Sequence, residues 1–259
     1  MAFLHQNDEF NADGREEAVT GIASDMVMHD SGFHRHECKA QLLYAPSGCM
    51  TVITSEKQLI LPPTKMLWIP AGELHRVTFR NVVAYRSVYF SDEYVKKNSF
   101  PDGMQIRSVN PLLKEIIERI CFWAWTTPDK EQKELLTVFI NELKKAPKEA
   151  LILSMPKDVR MKKKVEEWAL RISQPPFLKE LSMEVGASEK TISRIFIKET
   201  GLPYQEWRQQ WRLHRAIELL TEGKSIGETA FELSFSSDSA FIDFFKKQTG
   251  DTPLQHLMK

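Results

Sequence analysis

A pattern of two helices joined by a short turn occurs twice in the C-terminal part of the sequence, at an interval of about 48 residues. In the first copy, a short apolar helix is predicted over 178–185, followed by Gly186-Ala187 and a helix that begins at Ser188. The corresponding segments of the second copy are a helix over 226–233, a turn over 234–236 and a helix that begins at Ser237. A repeat of this length is typical of small helical units, so we expect two similar helix pairs.

The second helix of each copy has an apolar face and a polar face. Residues three and four positions apart lie on the same side of a helix, and this spacing predicts which side is buried. The predicted buried residues are Ile192, Ile195 and Phe196 in the first copy and Phe241, Phe244 and Phe245 in the second. The candidates for contact with a partner are the polar residues Ser188, Lys190, Thr191, Ser193, Arg194, Lys198, Ser236, Ser237, Ser239 and Lys246.

A long helix is predicted between the two copies, from 203 to about 221. Gly201 and Gly250 follow the polar-faced helices as C-terminal caps, and a proline begins the next helix in each copy. A helix of about 18 residues is about 27 Å long, and one turn of B-DNA is about 34 Å. Two helices held this far apart can enter adjacent major grooves, so the polar faces are predicted to bind double-stranded DNA.

The C-terminal segment resembles the AraC/XylS family of transcription regulators over about residues 161–259. The residues that carry the resemblance are Leu181, Ser188, Arg194-Ile195-Phe196, Gly201-Leu202-Pro203, Arg212-Leu213, Ala216, Leu219-Leu220, Ser239-Ala240-Phe241, Phe244-Phe245-Lys246-Lys247, Thr249-Gly250 and Pro253. The resemblance implies two helix-turn-helix units that bind an operator sequence, with RNA polymerase as a further partner. It implies a regulator and not an enzyme.

One position departs from the family pattern. Members of the family usually have glycine in the second turn, where this chain has Ser234. A residue with a side chain costs about 1 kcal/mol when its φ is positive. The second unit is therefore expected to be the less rigid of the two.

The N-terminal part of the sequence is rich in short β-type runs. Val, Ile, Leu, Tyr and Thr dominate six runs, which cover 41–45, 50–55, 58–61, 66–69, 76–79 and 82–90. Proline and glycine separate these runs at intervals typical of a sandwich or barrel. Helical spacing follows over 110–125 and 128–146. The chain is therefore divided into a sensor barrel 1–109, a helical segment 110–146, a linker 147–160 and a DNA-binding domain 161–259.

Three histidines of the β-rich part have the spacing of two cupin motifs. His34-Arg35-His36, followed by Gln41 and Gly48, is similar to the first cupin motif. Pro70-Ala71-Gly72, followed by His75, is similar to the second. The resemblance implies the metal ligands His34, His36, Gln41 and His75. Three imidazoles suit a divalent first-row metal, although cupins usually have glutamate at the position of Gln41, and a neutral amide is a weaker ligand. The alternative is that the histidines only form hydrogen bonds across the barrel.

A second resemblance covers the whole chain. Residues 41–45, 62–63, 67–70, 75–77 and 206–213 are similar to AraC-type regulators with an N-terminal cupin sensor, including the type that controls efflux of 2-nitroimidazole-like compounds. This resemblance implies a two-domain α+β fold, in which a cupin-like β-barrel with two helices precedes an all-α domain with two helix-turn-helix units. It also implies a helical dimerisation segment. Tyr44, Met66 and Trp68 either line an effector pocket or fill the barrel core.

Composition excludes some classes of protein. The formal charge is zero, with 35 basic and 35 acidic side chains, so the basic residues of a DNA-binding protein would have to be concentrated on one surface. The three cysteines, Cys38, Cys49 and Cys121, are too few for a disulfide framework and fit a reducing cytosol. No signal peptide or long apolar run is present, so we expect a cytoplasmic protein with no membrane partner.

Three functions fit these patterns. The first is a sequence-specific DNA-binding transcription regulator whose cupin domain senses a small molecule or a divalent metal. The second is a cupin metalloenzyme fused to a DNA-binding domain, against which the neutral Gln41 weighs. The third is an architectural DNA-binding protein whose barrel binds nothing. A homodimer through 110–146 is also expected, because the apolar stripe that contains Ile116, Ile117 and Ile120 is wider than one contact with the barrel needs.

Overall fold

The computed structural model describes residues 2–5, 8–171 and 173–258, apart from the side chains of residues 81, 129, 170, 171 and 258. The chain forms two compact units. The first consists of Met1–Val52 and Leu61–Leu151, and the second of Ile53–Ile60 and Ile152–Lys259. The chain therefore crosses between the units three times, whereas the division made from the sequence assigns 53–60 to the β-rich domain.

An antiparallel β-sheet forms most of the first unit. The strands of the N-terminal half are β1 (Val19–Asp30), β2 (Lys39–Tyr44), β3 (Met50–Thr54), β4 (Lys57–Leu61), β5 (Lys65–Ile69), β6 (His75–Ser91) and β7 (Gln105–Ser108). Two short strands follow, β8 (Lys148–Glu149) and β9 (Ile152–Ser154). In the first unit the order is β8, β7, β5, β2, β6 and β3, and β1 also pairs with β6. The long strand β6 therefore pairs with three other strands, β1, β2 and β3.

Three helices belong to the same unit: α1 (Asp92–Asn98), α2 (Pro111–Cys121) and α3 (Asp129–Lys145). Side chains of β2 alternate between the two faces of the sheet, and Leu42 and Tyr44 belong to the core that also contains residues of α2 and α3. A Cβ atom on Gly21 would lie 2.2 Å from the carbonyl oxygen of Ile120. Only glycine permits this close approach of α2 to β1.

The apolar stripe of α2 is used within one chain. Ile116 is 3% exposed, and Ile117 and Ile120 are fully buried in the core of the first unit. The reason given above for a homodimer was therefore wrong, because the stripe has no excess width. The apolar side chains left exposed on α2 and α3 include Leu112 and Val138.

The predicted β-rich character of the N-terminal half is confirmed, but several boundaries differ. The runs 76–79 and 82–90 form the single strand β6, and β1, β7 and α1 were not predicted. The predicted linker 147–160 contains β8 and β9, because short backbone pairings order it. Among the described residues, no helix combines the length and the apolar character that a membrane crossing requires.

The second unit is largely helical. Its helices are α4 (Val159–Arg171), α5 (Leu178–Val185), α6 (Glu189–Thr200), α7 (Tyr204–Thr221), α8 (Ile226–Glu232), α9 (Asp238–Thr249) and α10 (Pro253–Met258). The strands β4 and β9 pair with each other, and the indole nitrogen of Trp207 on α7 donates to the carbonyl of Ser154 at 2.7 Å. A short two-stranded ribbon is therefore attached to the helical unit.

The sequence repeat reappears as a repeat of helix ends. Ser188 and Ser237 are the N-caps of α6 and α9, and each hydroxyl oxygen accepts from a backbone N–H three residues later at 3.2 Å. Gly201 and Gly250 end these helices with φ values of 77° and 82°. These local hydrogen bonds explain why the helix boundaries could be predicted closely.

The short helices α5 and α8 also end alike. Gly186 has a φ of 62° and Ser234 a φ of 57°, so both occupy the left-handed region. The next N–H in each copy donates back into the helix, from Ala187 to Ser182 at 3.1 Å and from Phe235 to Ala230 at 2.9 Å. The predicted positive φ of Ser234 is confirmed. The second turn therefore holds a serine in a conformation that favours glycine.

The substitution Ser234→Gly is expected to raise the free energy of unfolding by about 1 kcal/mol, because glycine adopts a positive φ without steric cost. Urea unfolding of the full-length protein at two wavelengths would measure the change. Ser236→Gly is the matched control, since Ser236 does not have a positive φ. Equal or opposite effects of the two substitutions would contradict the assigned strain.

Candidate nucleic-acid interface and histidine cluster

The helix α6 presents one polar surface. Ile192 and Phe196 are fully buried and Ile195 is half-buried, so the apolar face is turned into the unit. On the other side, Ser188, Lys190, Arg194 and Lys198 are exposed and Thr191 and Ser193 are half-exposed. The Ser188 hydroxyl caps the helix and also lies 2.9 Å from the Thr191 hydroxyl. The six residues predicted here therefore lie on or beside one accessible surface.

The helix α9 repeats this arrangement. Phe241 and Phe245 are fully buried and Phe244 is half-buried. Ser236, Ser237, Ser239 and Lys246 are exposed. The hydroxyl of Ser237 is used as the N-cap, so its first role is structural. This surface carries fewer basic side chains than that of α6.

The basic side chains of both surfaces are free of acidic partners. Across residues 2–5, 8–171 and 173–258, no carboxylate lies within ion-pair distance of Lys190, Arg194, Lys198 or Lys246. In contrast, Arg215 on α7 contacts both Glu218 and Glu232. Unpaired cations on one surface produce a positive potential there even though the net charge of the chain is zero.

In the first unit, His34, His36 and His75 come together. One ring nitrogen from each lies within 4.8 Å of those of the other two. The backbones of His34 and His75 exchange two hydrogen bonds of 2.9 Å, and the N–H of Gly72 donates to the carbonyl of His36 at 2.8 Å. His34 and His36 lie outside the regular strands. An isolated bridge positions them instead.

Two of the imidazoles are oriented by carbonyl groups. The Nδ1 atom of His75 lies 2.8 Å from the carbonyl of Glu73, and that of His34 lies 3.1 Å from the carbonyl of Gly32. A proton on each Nδ1 leaves Nε2 as a lone-pair donor. The Nε2 atoms of His36 and His75 are buried without a hydrogen-bond partner. This donor set fits a divalent metal.

The side-chain nitrogen of the predicted ligand Gln41 has other partners, whereas its Oε1 atom is buried without a hydrogen-bond partner. Its side-chain amide contacts the hydroxyls of Ser87 at 2.9 Å, Tyr89 at 3.1 Å and Tyr85 at 3.3 Å. The ring of Tyr89 packs edge-on against His36, so Gln41 adjoins the histidines through this tyrosine. Tyr89 was not predicted. The sequence could have indicated Tyr89, because residues 85, 87 and 89 alternate along β6 and therefore share the face that lies opposite Gln41 on β2.

Comparison with known proteins indicates the family of the C-terminal domain. Residues 181–258 match the family model described as a helix-turn-helix domain. The chain is 28% identical over 230 residues to the HTH-type transcriptional regulator NimR of Escherichia coli, covering 88% of this chain and 83% of NimR. The chain carries an AraC-family DNA-binding domain. It is a DNA-binding transcription regulator, like the relatives it matches, and not an enzyme.

Two further similarities extend over most of the chain. The thermoregulatory protein LcrF of Yersinia pestis is 26% identical over 233 residues, which cover 84% of this chain and 79% of LcrF. A crystal structure of ToxT from Vibrio cholerae matches 93% of this chain and 98% of that chain at 13% identity, with a TM-score of 0.38.

The three residues predicted to line an effector pocket are packed in the core. Tyr44, Met66 and Trp68 are 2%, 1% and 1% exposed, and they belong to the cluster that includes residues of α2 and α3. The indole nitrogen of Trp68 donates to the carbonyl of Pro101 at 2.9 Å. Tyr44 is an odd number of residues from Gln41 on β2, so it lies on the opposite face of the sheet. These side chains fill the core, the second of the two alternatives considered.

Burial favours the neutral form of two of the three histidines, His36 and His75, by lowering the pKa of each. Loss of solvent lowers the pKa of His75 to about 4, and the neighbouring His34 and His36 act in the same direction. Burial, followed by the charge of His34, also lowers the pKa of His36. Neutral imidazoles are the form that binds metals.

The stability of the metal-free protein is expected to depend on pH through His75. In the unfolded chain its pKa is about 6.5, and in the folded chain about 4. Between these values only the unfolded state binds the proton, so the free energy of unfolding falls as the pH drops through this window, by about 3 kcal/mol. Urea unfolding with a chelator at several pH values would measure the fall. His75→Gln should show a shallower dependence, and equal slopes would contradict the assignment.

Proposed function

We propose that α6 and α9 enter adjacent major grooves of an operator and that this binding regulates transcription. The observation that carries the proposal is the repeated, exposed surface of Lys190, Arg194 and Lys198 on α6 and Lys246 on α9, which has no acidic partner within the described ranges. The 18 residues of α7 give a connecting helix about 27 Å long. This length suits two helices that approach one face of a duplex.

Side chains near the start of a recognition helix reach base edges most directly. Lys190, Thr191, Ser193 and Arg194 are the proposed contacts in the first groove. Arginine donates two parallel hydrogen bonds to guanine, so Arg194 is the strongest candidate for reading a base. The serines of the second unit supply shorter contacts, and Lys246 suits a phosphate.

Arg194→Ala is expected to weaken operator binding by about 1–3 kcal/mol and to relax the preference at one position, because one bidentate base contact is lost. Selection of bound sequences from a randomised duplex library would identify the operator for the wild type and the changed preference for the variant. Arg160→Ala is the charge-matched control, since Arg160 is paired with Asp158. An equal loss on operator and random DNA would assign Arg194 to a phosphate instead.

The first unit is proposed to be a cupin-like sensor. His34, His36 and His75 would hold a divalent first-row metal through their Nε2 atoms. A bound metal would join the segment that contains His34 and His36 to the start of β6. A ligand changes DNA binding only by favouring one conformation over another, so the metal or a small effector would act by stabilising this segment. Gln41 is not part of the proposed ligand set.

The double substitution His34→Ala plus His36→Ala is expected to abolish stoichiometric metal binding. Because the pKa values of His36 and His75 are lowered, proton competition at these two ligands is weaker than at a free imidazole, and the metal content of the wild type is expected to fall as the pH is lowered further. Metal content after dialysis at graded pH would measure both effects. His29→Ala, outside the cluster, is the control. Stoichiometric metal in the double variant would place the sensor site elsewhere.

A homodimer also stays a prediction, now through the exposed residues of α2 and α3. Leu112 is 51% and Val138 43% exposed. If they form the interface, Leu112→Glu plus Val138→Glu should convert the full-length protein to a monomer, because a carboxylate is poorly tolerated in a buried apolar contact. Analytical ultracentrifugation at micromolar concentration would measure the mass, with Val82→Glu as the control. A monomeric wild type would rule out the dimer.

A further inference from the structure

A cavity of about 240 Å³ lies beside the N-terminal half of α7 in the second unit. Its walls include the segment before α5 and the turn after α8, at Phe177 and Ser234. From α7 it is lined by Gln205, Arg208, Gln209 and Arg212. None of its lining residues is acidic, so two arginines determine its charge.

The two arginines are held in place by neutral groups. Arg208 is 9% exposed, and its Nε donates to the carbonyl of Pro175 at 2.6 Å while the guanidinium lies over the ring of Phe177 at 4.4 Å. Arg212 lies over Phe235 at 3.9 Å. Its terminal nitrogens donate to the carbonyl of Leu233 at 2.8 Å and the amide oxygen of Gln209 at 3.3 Å. Both side chains are therefore fixed before any ligand arrives.

Hydrogen-bonding capacity is left over in this cavity. The Nε of Arg212 is buried without a partner, as is the side-chain oxygen of Gln174. In the described part of the chain, Arg208 uses only Nε for hydrogen bonds, which leaves its terminal N–H groups for a ligand. The amide of Gln174 can be turned to present its NH₂ group, because the two orientations differ only by exchange of the oxygen and nitrogen positions.

Charge is also left uncompensated. No described carboxylate lies within ion-pair distance of Arg208 or Arg212, whereas Arg215 on the same helix has two. Glu180, on the neighbouring α5, instead accepts from the backbone N–H of Phe177. Burial and the charge of Arg208 lower the pKa of Arg212 to about 10, so it is still charged at neutral pH. Two like charges four residues apart on a helix repel each other unless an anion joins them.

We propose that Arg208 and Arg212 form a binding site for one phosphate group. A tetrahedral oxyanion accepts hydrogen bonds from two guanidinium groups at once, which suits the planar donor arrangement of arginine. The site lies between the N-terminus of α5, in the first helix pair, and the turn of the second pair. The main ligand that we propose is a DNA backbone phosphate between the two grooves, so the inference rests on the proposed DNA binding. Free inorganic phosphate has the same chemistry and is the other source.

Salt dependence of DNA binding would test the backbone phosphate. Each phosphate contact contributes about 0.9 to the slope of log K against log salt. Arg208→Gln should lower the slope by about this amount and weaken operator and random DNA alike, by about tenfold. Arg215→Gln removes the same charge from α7 at a residue that already has acidic partners, and it should leave the slope unchanged. This uniform loss differs from the sequence-dependent loss expected for Arg194→Ala.

Gln205→Glu separates loss of the site from loss of the fold. Gln205 is exposed at the cavity, and a carboxylate there would take the place of the phosphate without removing either arginine. The variant should unfold at the same or a higher temperature than wild type, and yet bind both DNAs more weakly with a smaller salt slope. A destabilised variant with unchanged DNA binding would contradict the proposal.

Thermal unfolding without DNA would test the free anion. Inorganic phosphate is compared with chloride at equal ionic strength. If phosphate raises the unfolding temperature of the wild type saturably, and does not raise that of Arg208→Gln, the site binds a phosphate group whether or not the protein binds DNA. Unchanged salt slopes with this stabilisation would assign the site to free phosphate. Unchanged slopes together with no specific stabilisation would overturn the proposal.

Discussion

The packing of Trp207 is the contact on which the DNA-binding unit depends. This side chain is fully buried, and its ring lies 5.1 Å from Phe196 of α6 and 5.4 Å from Trp211 of the same helix. Its indole nitrogen reaches the carbonyl of Ser154, so one residue joins α7, α6 and the strand β9. Large aromatic side chains contribute both apolar area and a fixed orientation. The polar face of α6 is accessible because Phe196 is held on the opposite side.

The two helix pairs of this unit have the same design, but they differ in backbone strain and in the number of basic side chains. Each polar-faced helix has a serine at its start and a glycine at its end, and these caps stabilise a helix whatever its neighbours are. The first half has Gly186 in the turn and the second has Ser234, which lies in the left-handed region. The basic residues are also concentrated on α6. Both differences are reasons to propose that the first half contributes more to DNA binding.

The histidine cluster and the arginine cavity illustrate two electrostatic states of buried groups. His75 avoids the cost of burial by losing its proton, and its neutral ring is ready to donate a lone pair. Arginine cannot lose its charge near neutral pH, so Arg208 and Arg212 depend on carbonyl groups, aromatic faces and, as proposed, an anion. A neutral donor set suits a metal cation, and a charged one suits a phosphate.

Local patterns determined much of this protein. The helices α5 to α9 could be placed from caps and apolar spacing alone, because the hydrogen bonds that end them join residues three to five positions apart. The spacing of His34, His36 and His75 predicted three residues that do meet. Strand boundaries were less certain, since pairing depends on partners far along the chain. Residues 76–90 therefore form one strand where two were predicted.

Only the tertiary structure decided how surfaces were used. Ile116, Ile117 and Ile120 have the pattern of an interface, but the sheet of the same chain covers them. Gln41 has the position of a ligand, and the structure shows that its side-chain nitrogen contacts three hydroxyls of β6. Arg208 and Arg212 are ordinary helix residues in the sequence, and their cavity exists only because distant segments meet α7. Helical spacing fixes which residues share a face, whereas the partner of that face depends on long-range packing, which no local pattern contains.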